Sequence, residues 1–418
     1  MFTRLQTLNF RCLRHVDLKL KDFHVLVGAN ASGKTTFLDV IGILGDLVRN
    51  DLSKAMGNRS SNFNDLIWAR SGNFFEVAVE ARIPEVIREK VSDKIKRYDT
   101  VRYELRIELN ESTQELGLRA ERLLAKVDNN LSTVRQLELF PSPLKPPKTI
   151  LYPDKAAATK TIIKKVAGGN DNYYSETGKS YNPSFRLGPQ KSALANLPAD
   201  EANFPISTWW RDLLSQGIQN FVLNSLLIRQ ASPPGQGTQF STDGSNMPWV
   251  IDRLKNRSPE RFELWLDHVR SALPDLSTIR VIDRKDDRHK YIMLRYANGI
   301  ETPSWTSSDG TLRLLALTIP AYLSDVRGIY LIEEPENGIH PKAVETVLQS
   351  LSSVYDAQVI LASHSPIILG LVKPGDVLCF SKDEKGATDI VSGNEHPALK
   401  NWTGSPDFNV LFASGILS

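Results

Sequence analysis

The stretch Gly28-Ala29-Asn30-Ala31-Ser32-Gly33-Lys34-Thr35 decides the fold that this sequence predicts. It fits the pattern G-x-x-x-x-G-K-[ST], in which glycines let backbone N–H groups surround phosphate oxygens, the lysine neutralises phosphate charge and the hydroxyl binds Mg²⁺. The apolar run Phe23–Val27 precedes it, and Thr36–Val48 follows with apolar residues at helical spacing. Strand, glycine loop and helix are the context that this motif requires, so the sequence predicts a phosphate-binding loop.

A second motif is Ile329-Tyr330-Leu331-Ile332-Glu333-Glu334-Pro335, about 300 residues further along the chain. Four residues of buried type precede the two acids, which argues against a solvated acidic pair. A carboxylate at the end of a strand can bind Mg²⁺, and its neighbour can orient or deprotonate an attacking water. We assign Glu333 to the metal and Glu334 to the water. Because aspartate is more usual at the first position, the reverse assignment stays open.

A third motif, Ser307–Thr311, opens a helix that carries several leucines. Free N–H groups at a helix start bind anions, so Ser308 and its neighbours are candidates for contacting a phosphate. An ordinary N-cap by Ser308 or Asp309 is the alternative on this segment alone. The position of the segment just before the acidic strand favours the functional interpretation.

A histidine, His364, follows the apolar run Val359–Ala362. A lone histidine at such a position is more often structural. Beside two carboxylates and a phosphate loop, however, it becomes a candidate contact to a γ-phosphate, because it can donate a hydrogen bond where charge develops in phosphoryl transfer.

Composition narrows the class of protein. The 418 residues carry a formal charge of +3, which gives no chain-wide attraction for nucleic acid or an anionic membrane. Cys12 and Cys379 lie at opposite ends of the chain, which argues against a disulfide framework or a zinc site. We see no signal peptide and no apolar run of membrane-spanning length. We therefore expect a cytoplasmic protein with no membrane partner.

Patterns between the motifs suggest four segments. Phe74–Ala81, Val101–Leu109 and Glu115–Leu124 read as strands of an antiparallel flank. Prolines, glycines and asparagines become more frequent between residues 141 and 198, which predicts an inserted arm outside the main core. The expected division is 1–135 for the N-terminal half of the ATPase lobe, 136–204 for the arm, 205–300 for a helical lobe and 301–418 for the C-terminal half of the core.

The expected helical lobe rests on two long helical patterns, Ile206–Gln230 and Ser258–Leu273. The charged run Asp283–Arg288 separates two segments with the pattern of strands. The simplest interpretation is that it forms the turn of a β-hairpin. From Ser308 onward, helical patterns alternate with patterns of buried strands, which is the order of elements in an α/β fold with a parallel sheet.

These motifs, in this order, resemble the RecF/SMC-like branch of ABC ATPases, and more closely the stand-alone ATPases in which Ser-Asp-Gly-Thr replaces the transporter-type signature. The resemblance covers roughly residues 1–50 and 305–418. It implies an α/β, bilobed P-loop ATPase with a mixed central sheet, an antiparallel β flank, a helical lobe and an inserted arm.

The same resemblance assigns functional residues. Lys34, Glu334 and His364 would be catalytic, and Thr35 and Glu333 would hold Mg²⁺. Glu336–His340 would form the D-loop. The residues expected to contact ATP come from Walker A and the signature: Gly28, Ala29, Asn30, Ala31, Ser32, Gly33, Lys34, Thr35, Thr36, Ser308, Asp309, Gly310 and Thr311.

One element of the family is missing from the sequence pattern. No glutamine stands in the sequence context of a Q-loop; Asn64 and Gln114 are the candidate substitutes, and neither has a motif around it. The connection between the nucleotide and the helical lobe is therefore left unassigned.

The resemblance also implies partners. ATP would lie between two protomers, with Walker A of one facing the signature serine of the other, so a homodimer is the smallest closed assembly and a higher homo-oligomer is the alternative. The leading expectation is an ATP-driven switch that controls an effector protein, a nuclease or a toxin, in antiviral defence.

A DNA-repair or chromosome-associated ATPase that clamps DNA directly is the second hypothesis. Between Pro141 and Lys191 nine basic residues stand against three acids, an excess of 9 − 3 = +6, with aromatic residues interleaved. A solvated hairpin or a protein-docking arm explains the segment equally well. The basic residues are Lys145, Lys148, Lys155, Lys160, Lys164, Lys165, Lys179, Arg186 and Lys191.

Two further classes are disfavoured. The first is the same ATPase fused to a Toprim nuclease. It is disfavoured because the 54 residues after His364 lack an Asp-x-Asp, so we expect any nuclease to be another subunit. A catalytically dead scaffold is disfavoured because Lys34 and both acids are present.

Overall fold

The structure is a computed structural model, and it describes residues 1–128, 139–154, 156 and 158–400. The strands of these residues are, in chain order, β1 (Phe2–Phe10), β2 (Leu13–Lys19), β3 (Phe23–Gly28), β4 (Phe74–Arg82), β5 (Thr100–Leu109), β6 (Leu116–Lys126), β7 (Thr159–Val166), β8 (Asp171–Tyr173), β9 (Ser184–Phe185), β10 (Ile218–Phe221), β11 (Leu276–Asp283), β12 (Lys290–Tyr296), β13 (Glu301–Pro303), β14 (Gly328–Glu333), β15 (Ala357–Ala362), β16 (Val377–Lys382) and β17 (Thr388–Ser392).

The helices lie between groups of these strands along the chain. They are α1 (Lys34–Arg49), α2 (Leu52–Gly57), α3 (Glu85–Arg88), α4 (Asp93–Lys96), α5 (Pro205–Asp212), α6 (Ser225–Arg229), α7 (Met247–Arg257), α8 (Pro259–Ala272), α9 (Asp309–Thr318), α10 (Pro341–Ser352), α11 (Pro366–Leu371) and α12 (Pro397–Lys400). Among the described residues, no helix combines the length and the apolar character needed to cross a bilayer.

A six-stranded sheet organises the half of the chain that carries the motifs. Its order is β10-β14-β15-β3-β16-β17, and every neighbouring pair is parallel except β16 and β17. The predicted strand, loop and helix around the phosphate loop are confirmed as β3 and α1. Because parallel strands end at the same edge of a sheet, the loops after β3, β14 and β15 lie side by side.

Two hydrophobic cores lie on opposite faces of this sheet. Leu26 and Ile360 point into the core shared with α1 and the antiparallel strands, whereas Val25 and Leu361 point into the core shared with α7 to α10. Successive residues of a strand face opposite sides, so strands that are apolar throughout serve both cores. The predicted hairpin at Asp283–Arg288 is confirmed: β11, β12 and β13 form a small sheet beside α7 and α8.

The antiparallel flank is larger than the sequence predicted. Its order is β2-β1-β4-β5-β6-β7-β8-β9, so the predicted strands β4, β5 and β6 are confirmed and three more strands follow them. These three belong to 136–204, which was expected to be an arm outside the core. The described part of that segment instead extends the sheet and buries Tyr173 and Phe204, because Thr159–Val166 pairs along β6. The boundary near residue 135 lies outside the described residues.

The long helix expected over Ile206–Gln230 is wrong. The segment forms α5, a π-helical turn at Leu213–Gly217, the strand β10, and α6. β10 pairs in parallel with β14 at the edge of the six-stranded sheet. Ile218 and Phe221 enter opposite cores, as residues at an odd spacing on a strand must. Backbone pairing at an open sheet edge therefore outweighs the helical spacing of the apolar residues.

Candidate active site

One cavity of about 430 Å³ opens at the edge where β3, β14 and β15 end. The structure places ten of the predicted site residues around it, namely Asn30, Ala31, Ser32, Gly33, Lys34, Thr35, Thr36, Glu333, Glu334 and His364. The other lining residues are Cys12, Ala362 and Lys382, and the predicted Gly28 and Ala29 are not among those that line it. Residues that lie about 300 positions apart in sequence are thus brought together by the parallel register.

The ammonium of Lys34 lies inside the phosphate loop. Its Nζ donates hydrogen bonds to the carbonyl oxygens of Gly28 at 2.8 Å and Ala29 at 2.9 Å. Burial lowers the pKa of Lys34 to about 8, while the charges of Glu334 and Glu333 act in the opposite direction. The lysine is therefore held at the loop by backbone oxygens and faces the two carboxylates.

Thr35 and Glu333 contact each other across the cavity. Thr35 Oγ1 donates to Glu333 Oε2 at 2.7 Å, which joins the start of α1 to the end of β14. A hydroxyl and a carboxylate are hard oxygen donors of the kind that Mg²⁺ prefers, with phosphate oxygens and water completing its shell. Ser32 Oγ nearby is buried without a hydrogen-bond partner among the described residues. The donor set fits a Mg²⁺–phosphate ligand.

Glu334 adopts an unusual backbone conformation. Its φ is 48°, in the left-handed region that non-glycine residues rarely occupy. The Glu334 N–H donates to the carbonyl of Ala362 at 2.8 Å, and the amide Nδ2 of Asn337 donates to Oε2 of the same carboxylate. Strand β15 and Asn337 thus hold the carboxylate at the cavity rim.

His364 is positioned through Glu336, in the segment predicted to be the D-loop. Glu336 Oε1 accepts hydrogen bonds from the His364 N–H at 3.1 Å and from Ser363 Oγ at 2.6 Å. Burial, and then the charge of Lys34, lower the pKa of His364, whereas Glu334 and Glu336 counteract them. A neutral imidazole with one N–H can donate to a phosphate oxygen.

The signature residues Ser308–Thr311 do not line this cavity. Ser308 is the N-cap of α9, where its Oγ accepts from the Thr311 N–H at 3.2 Å. Asp309 Oδ1 accepts from Arg229 Nε at 3.0 Å and from Arg229 Nη2 at 2.5 Å. Within a single chain, therefore, the phosphate loop and the signature are not brought together.

The signature helix does touch the D-loop. A Cβ on Gly310 would lie 2.7 Å from the carbonyl oxygen of Gly338, closer than real Cβ atoms approach. Arg313 Nη1 also donates to the carbonyl of Asn337 at 3.2 Å. The turn that carries Asn337, the partner of Glu334, is thus packed on the helix that carries Ser308.

Several residues near the site carry no motif in the sequence. Thr388 bonds to the phosphate loop, Arg229 bonds to the signature, and Cys12 and Lys382 line the cavity. Asn64 and Gln114, considered as Q-loop substitutes, are not among the residues that line it. Because β10 lies beside β14, the turn after Phe221 is the segment that leaves the sheet next to the acidic strand. The predicted helix over Ile206–Gln230 included this turn, so the turn was not considered among the substitutes for the Q-loop.

Two solved structures are similar to this chain. A structure of an Smc head bound to the C-winged helix domain of ScpA is 15% identical, with a TM-score of 0.52 over 94% of this chain and 97% of that one. An Smc head with an extended coiled coil, bound to the C-terminal domain of ScpA from Pyrococcus furiosus, is 14% identical, with a TM-score of 0.48 over 94% and 96%. The first of these shows an SMC-head, ABC-type ATPase fold.

One curated relative matches over a short segment. An OLD nuclease of Thermus scotoductus (strain ATCC 700910 / SA-01) is 50% identical over 48 residues. This segment is 11% of the present chain and 9% of the nuclease, so the match spans less than a tenth of that relative.

A family model covers most of the chain. Residues 23–370 match the family described as "AAA domain, putative AbiEii toxin, Type IV TA system". The match includes the phosphate loop, the signature, the acidic strand and His364. The chain therefore belongs to this AAA family, whose fold here is that of the RecF/SMC-like, ABC-type ATPases.

Proposed function

We propose that this protein binds and hydrolyses ATP and works as a molecular switch that closes as a dimer. The observation that carries the proposal is the 2.7 Å contact between Thr35 Oγ1 and Glu333 Oε2 in a cavity that Lys34, Glu334 and His364 also line. A phosphate loop, a hydroxyl–carboxylate pair, a second carboxylate and a histidine are the groups that phosphoryl transfer to water requires.

Each residue has a role in the proposed reaction. Lys34 neutralises the β- and γ-phosphates, and Glu334 orients and deprotonates the attacking water. His364 donates to a γ-phosphate oxygen as negative charge develops there. Mg²⁺, held by Thr35 and Glu333, would supply further neutralisation of phosphate charge. The strained backbone of Glu334 supports this role, because such strain concentrates at functional sites.

Dimer closure would complete the site. One protomer lacks a signature beside its own cavity, so we propose that Ser308–Thr311 of a second copy supply it across a homodimer. The surface next to the signature supports an interface, since Leu226 and Trp305 are 71% and 50% exposed. Leu226 is on the same helix as Arg229, and the Trp305 carbonyl accepts from Arg229, so burial of these apolar side chains against a second copy would stabilise association.

We further propose that the switch controls a separate effector, a nuclease or toxin, in cytoplasmic antiviral defence. The description of the family names a toxin and a type IV toxin–antitoxin system, and the short relative is a nuclease. The helical lobe over residues 205–300 would transmit closure, because α6 contacts the signature helix.

The alternative of direct DNA clamping is weakened by the pairing of its basic residues. Lys165 is buried in an ion pair with Asp171 at 2.7 Å, and Lys164 pairs with Asp154 at 3.0 Å. Tyr173 is fully buried and cannot stack on a base. The segment therefore presents less free positive charge than its composition indicates.

The variant Glu334→Gln tests the proposal. We expect it to bind ATP and to lose turnover by roughly a hundredfold or more, since it removes the group that activates water. Light scattering should detect an ATP-dependent dimer in this variant, and Glu345→Gln, an exposed change on α10, should behave as the parent protein. Unchanged hydrolysis would refute the assignment of Glu334, and a monomer at saturating ATP would refute dimer closure.

A further inference from the structure

A second cavity lies on the antiparallel flank, apart from the active site. It has a volume of about 130 Å³ and opens between the start of β6, the turn after β7 and the segment after β9. Its lining residues are Leu118, Arg119, Lys165, Val166, Ala167, Gly168, Gly169, Arg186, Gly188 and Pro189. None of the residues that line the active-site cavity belongs to this set.

Arg119 reaches the cavity because it is the extra residue of a β-bulge. Arg106 pairs with Ala120 and Ile107 pairs with Leu118, so Arg119 has no partner across the strands. Bulges re-aim side chains and are common beside functional sites. Its Nε is buried and has no hydrogen-bond partner among the described residues. A buried guanidinium N–H without an acceptor costs free energy, which a bound acceptor would recover.

The charge around the cavity is positive. Lys165 and Arg186 line it with Arg119, and none of its described lining residues carries a carboxylate. The carboxylate that pairs with Lys165, Asp171, is already engaged, because one of its oxygens accepts from Lys165 at 2.7 Å and the other accepts from the Leu187 N–H at 3.0 Å. Asp171 therefore neutralises Lys165 and leaves the charge of the two arginines available.

The walls around the arginines are apolar and small. Leu118 is buried, whereas Val166, Pro189 and Arg186 are exposed, so the cavity opens to solvent on one side. The buried Nε of Arg119 is the donor whose attraction to an anion would be stronger than on an open surface. A volume near 130 Å³ is below the roughly 300 Å³ at which drug-sized ligand pockets begin. It suits a single tetrahedral or planar oxyanion and is too small to enclose a nucleotide.

We propose that this cavity binds one oxyanion group, a phosphate or a carboxylate, through Arg119 and Arg186. The site is separate from the ATP chemistry and does not depend on the proposed function. Bidentate geometry is available, since each guanidinium presents a fork of N–H donors that matches two oxygens. The ligand would lock the turn after β7 onto the segment after β9.

Peptide-resolved hydrogen exchange on the full chain tests the site. Inorganic phosphate is added in one arm and acetate in another, each against chloride at matched ionic strength. We expect the backbone of residues 166–169 to exchange at least about threefold more slowly with phosphate, acetate or both. Protection by phosphate alone identifies a phosphoryl ligand, and protection by acetate identifies a carboxylate. Because exchange is measured for each peptide, protection by phosphate bound at residues 28–35 is distinguished from protection at residues 166–169.

Variants decide whether the arginines hold the anion. Arg186→Gln changes an exposed side chain, so folding is not at risk, and Arg119→Gln removes the buried donor. In each variant, the anion concentration needed to protect residues 166–169 should rise about tenfold, as expected for loss of a charged hydrogen bond. Lys191→Gln, an exposed change that does not line the cavity, should leave protection intact. Equal exchange with and without both anions, or undiminished protection in both arginine variants, would overturn the proposal.

Discussion

Thr388 Oγ1 donates a buried hydrogen bond of 2.8 Å to the carbonyl oxygen of Ser32, in the middle of the phosphate loop. The Thr388 N–H donates at 2.9 Å to the carbonyl of Cys12, which lines the same cavity. The hairpin β16–β17 therefore holds the loop from the side, beyond the strand and helix that flank it in sequence. The shape of the loop depends on a residue 356 positions away.

Replacing this threonine tests that dependence. Thr388→Val keeps the shape of the side chain but removes the donor, which leaves the Ser32 carbonyl unpaired at a cost of about 1–3 kcal/mol. We expect ATP affinity to fall about tenfold, since the loop is no longer preorganised. Titration with a fluorescent ATP analogue measures the change. Thr388→Ser retains the hydroxyl and should bind like the parent, and equal affinity of the valine variant would contradict the prediction.

The contact between Thr35 and Glu333 predicts how the protein responds to Mg²⁺. Thr35→Ala and Glu333→Gln each remove one oxygen ligand, so the Mg²⁺ concentration for half-maximal hydrolysis should rise by about tenfold. The measurement is ATP turnover across a Mg²⁺ titration, with Thr35→Ser as the control that keeps the hydroxyl. A larger shift for Glu334→Gln than for Glu333→Gln would reverse the roles of the two acids.

The cavity residues that the sequence predicted share one property. Each lies at or soon after the end of an apolar strand: Glu333 is the last residue of β14, His364 follows β15, and Lys34 begins the helix after β3. Parallel strands end at one edge, so local patterns at separate places in the chain imply a common site. The predicted antiparallel flank was visible for a similar reason, because alternation in β4 and β5 is a property of adjacent residues.

Other parts of the site have no local signal. Thr388 and Arg229 are single polar residues whose partners lie far away in sequence, and only the fold reveals them. The strand β10 was mistaken for helix because its apolar residues also fit a 3.6-residue period, and pairing with β14 decided the outcome. The strand β7 was hidden among prolines and glycines that belong to its neighbouring turns.

The ion pair between Arg229 and Asp309 predicts a separation between binding and turnover. Arg229→Gln frees the signature segment from α6 but leaves the cavity residues in place, so ATP binding by the protomer should stay within about twofold of the parent. Turnover and ATP-dependent dimer formation should fall by about tenfold, because in the proposed dimer the signature must be oriented to meet the second copy. Binding by titration, hydrolysis and light scattering give the three readouts. Arg261→Gln, an exposed change on α8, is the control, and a proportional loss of all three activities would contradict a positioning role.

A buried carboxylate, Glu176, predicts how stability depends on pH. It accepts hydrogen bonds from the N–H groups of Ile206 and Ser207 at the start of α5, and burial raises its pKa to about 7 from a reference of 4.5. Between these values the folded state binds a proton that the unfolded state releases, so this contribution is complete below the unfolded pKa and is lost as pH rises through the folded pKa.

The expected result is a free energy of unfolding that falls by roughly 3 kcal/mol from this group as the pH rises from about 4.5 to 7.5. Glu176→Gln stays neutral and its amide oxygen can still accept, so its stability should vary less with pH over that range. Urea unfolding at several pH values measures both proteins. Glu89→Gln, an exposed carboxylate change, should keep the parent's slope. If the Glu176→Gln protein shows the same slope as the parent, the buried carboxylate does not bind the proton, and its hydrogen bonds to α5 outweigh the cost of burying its charge.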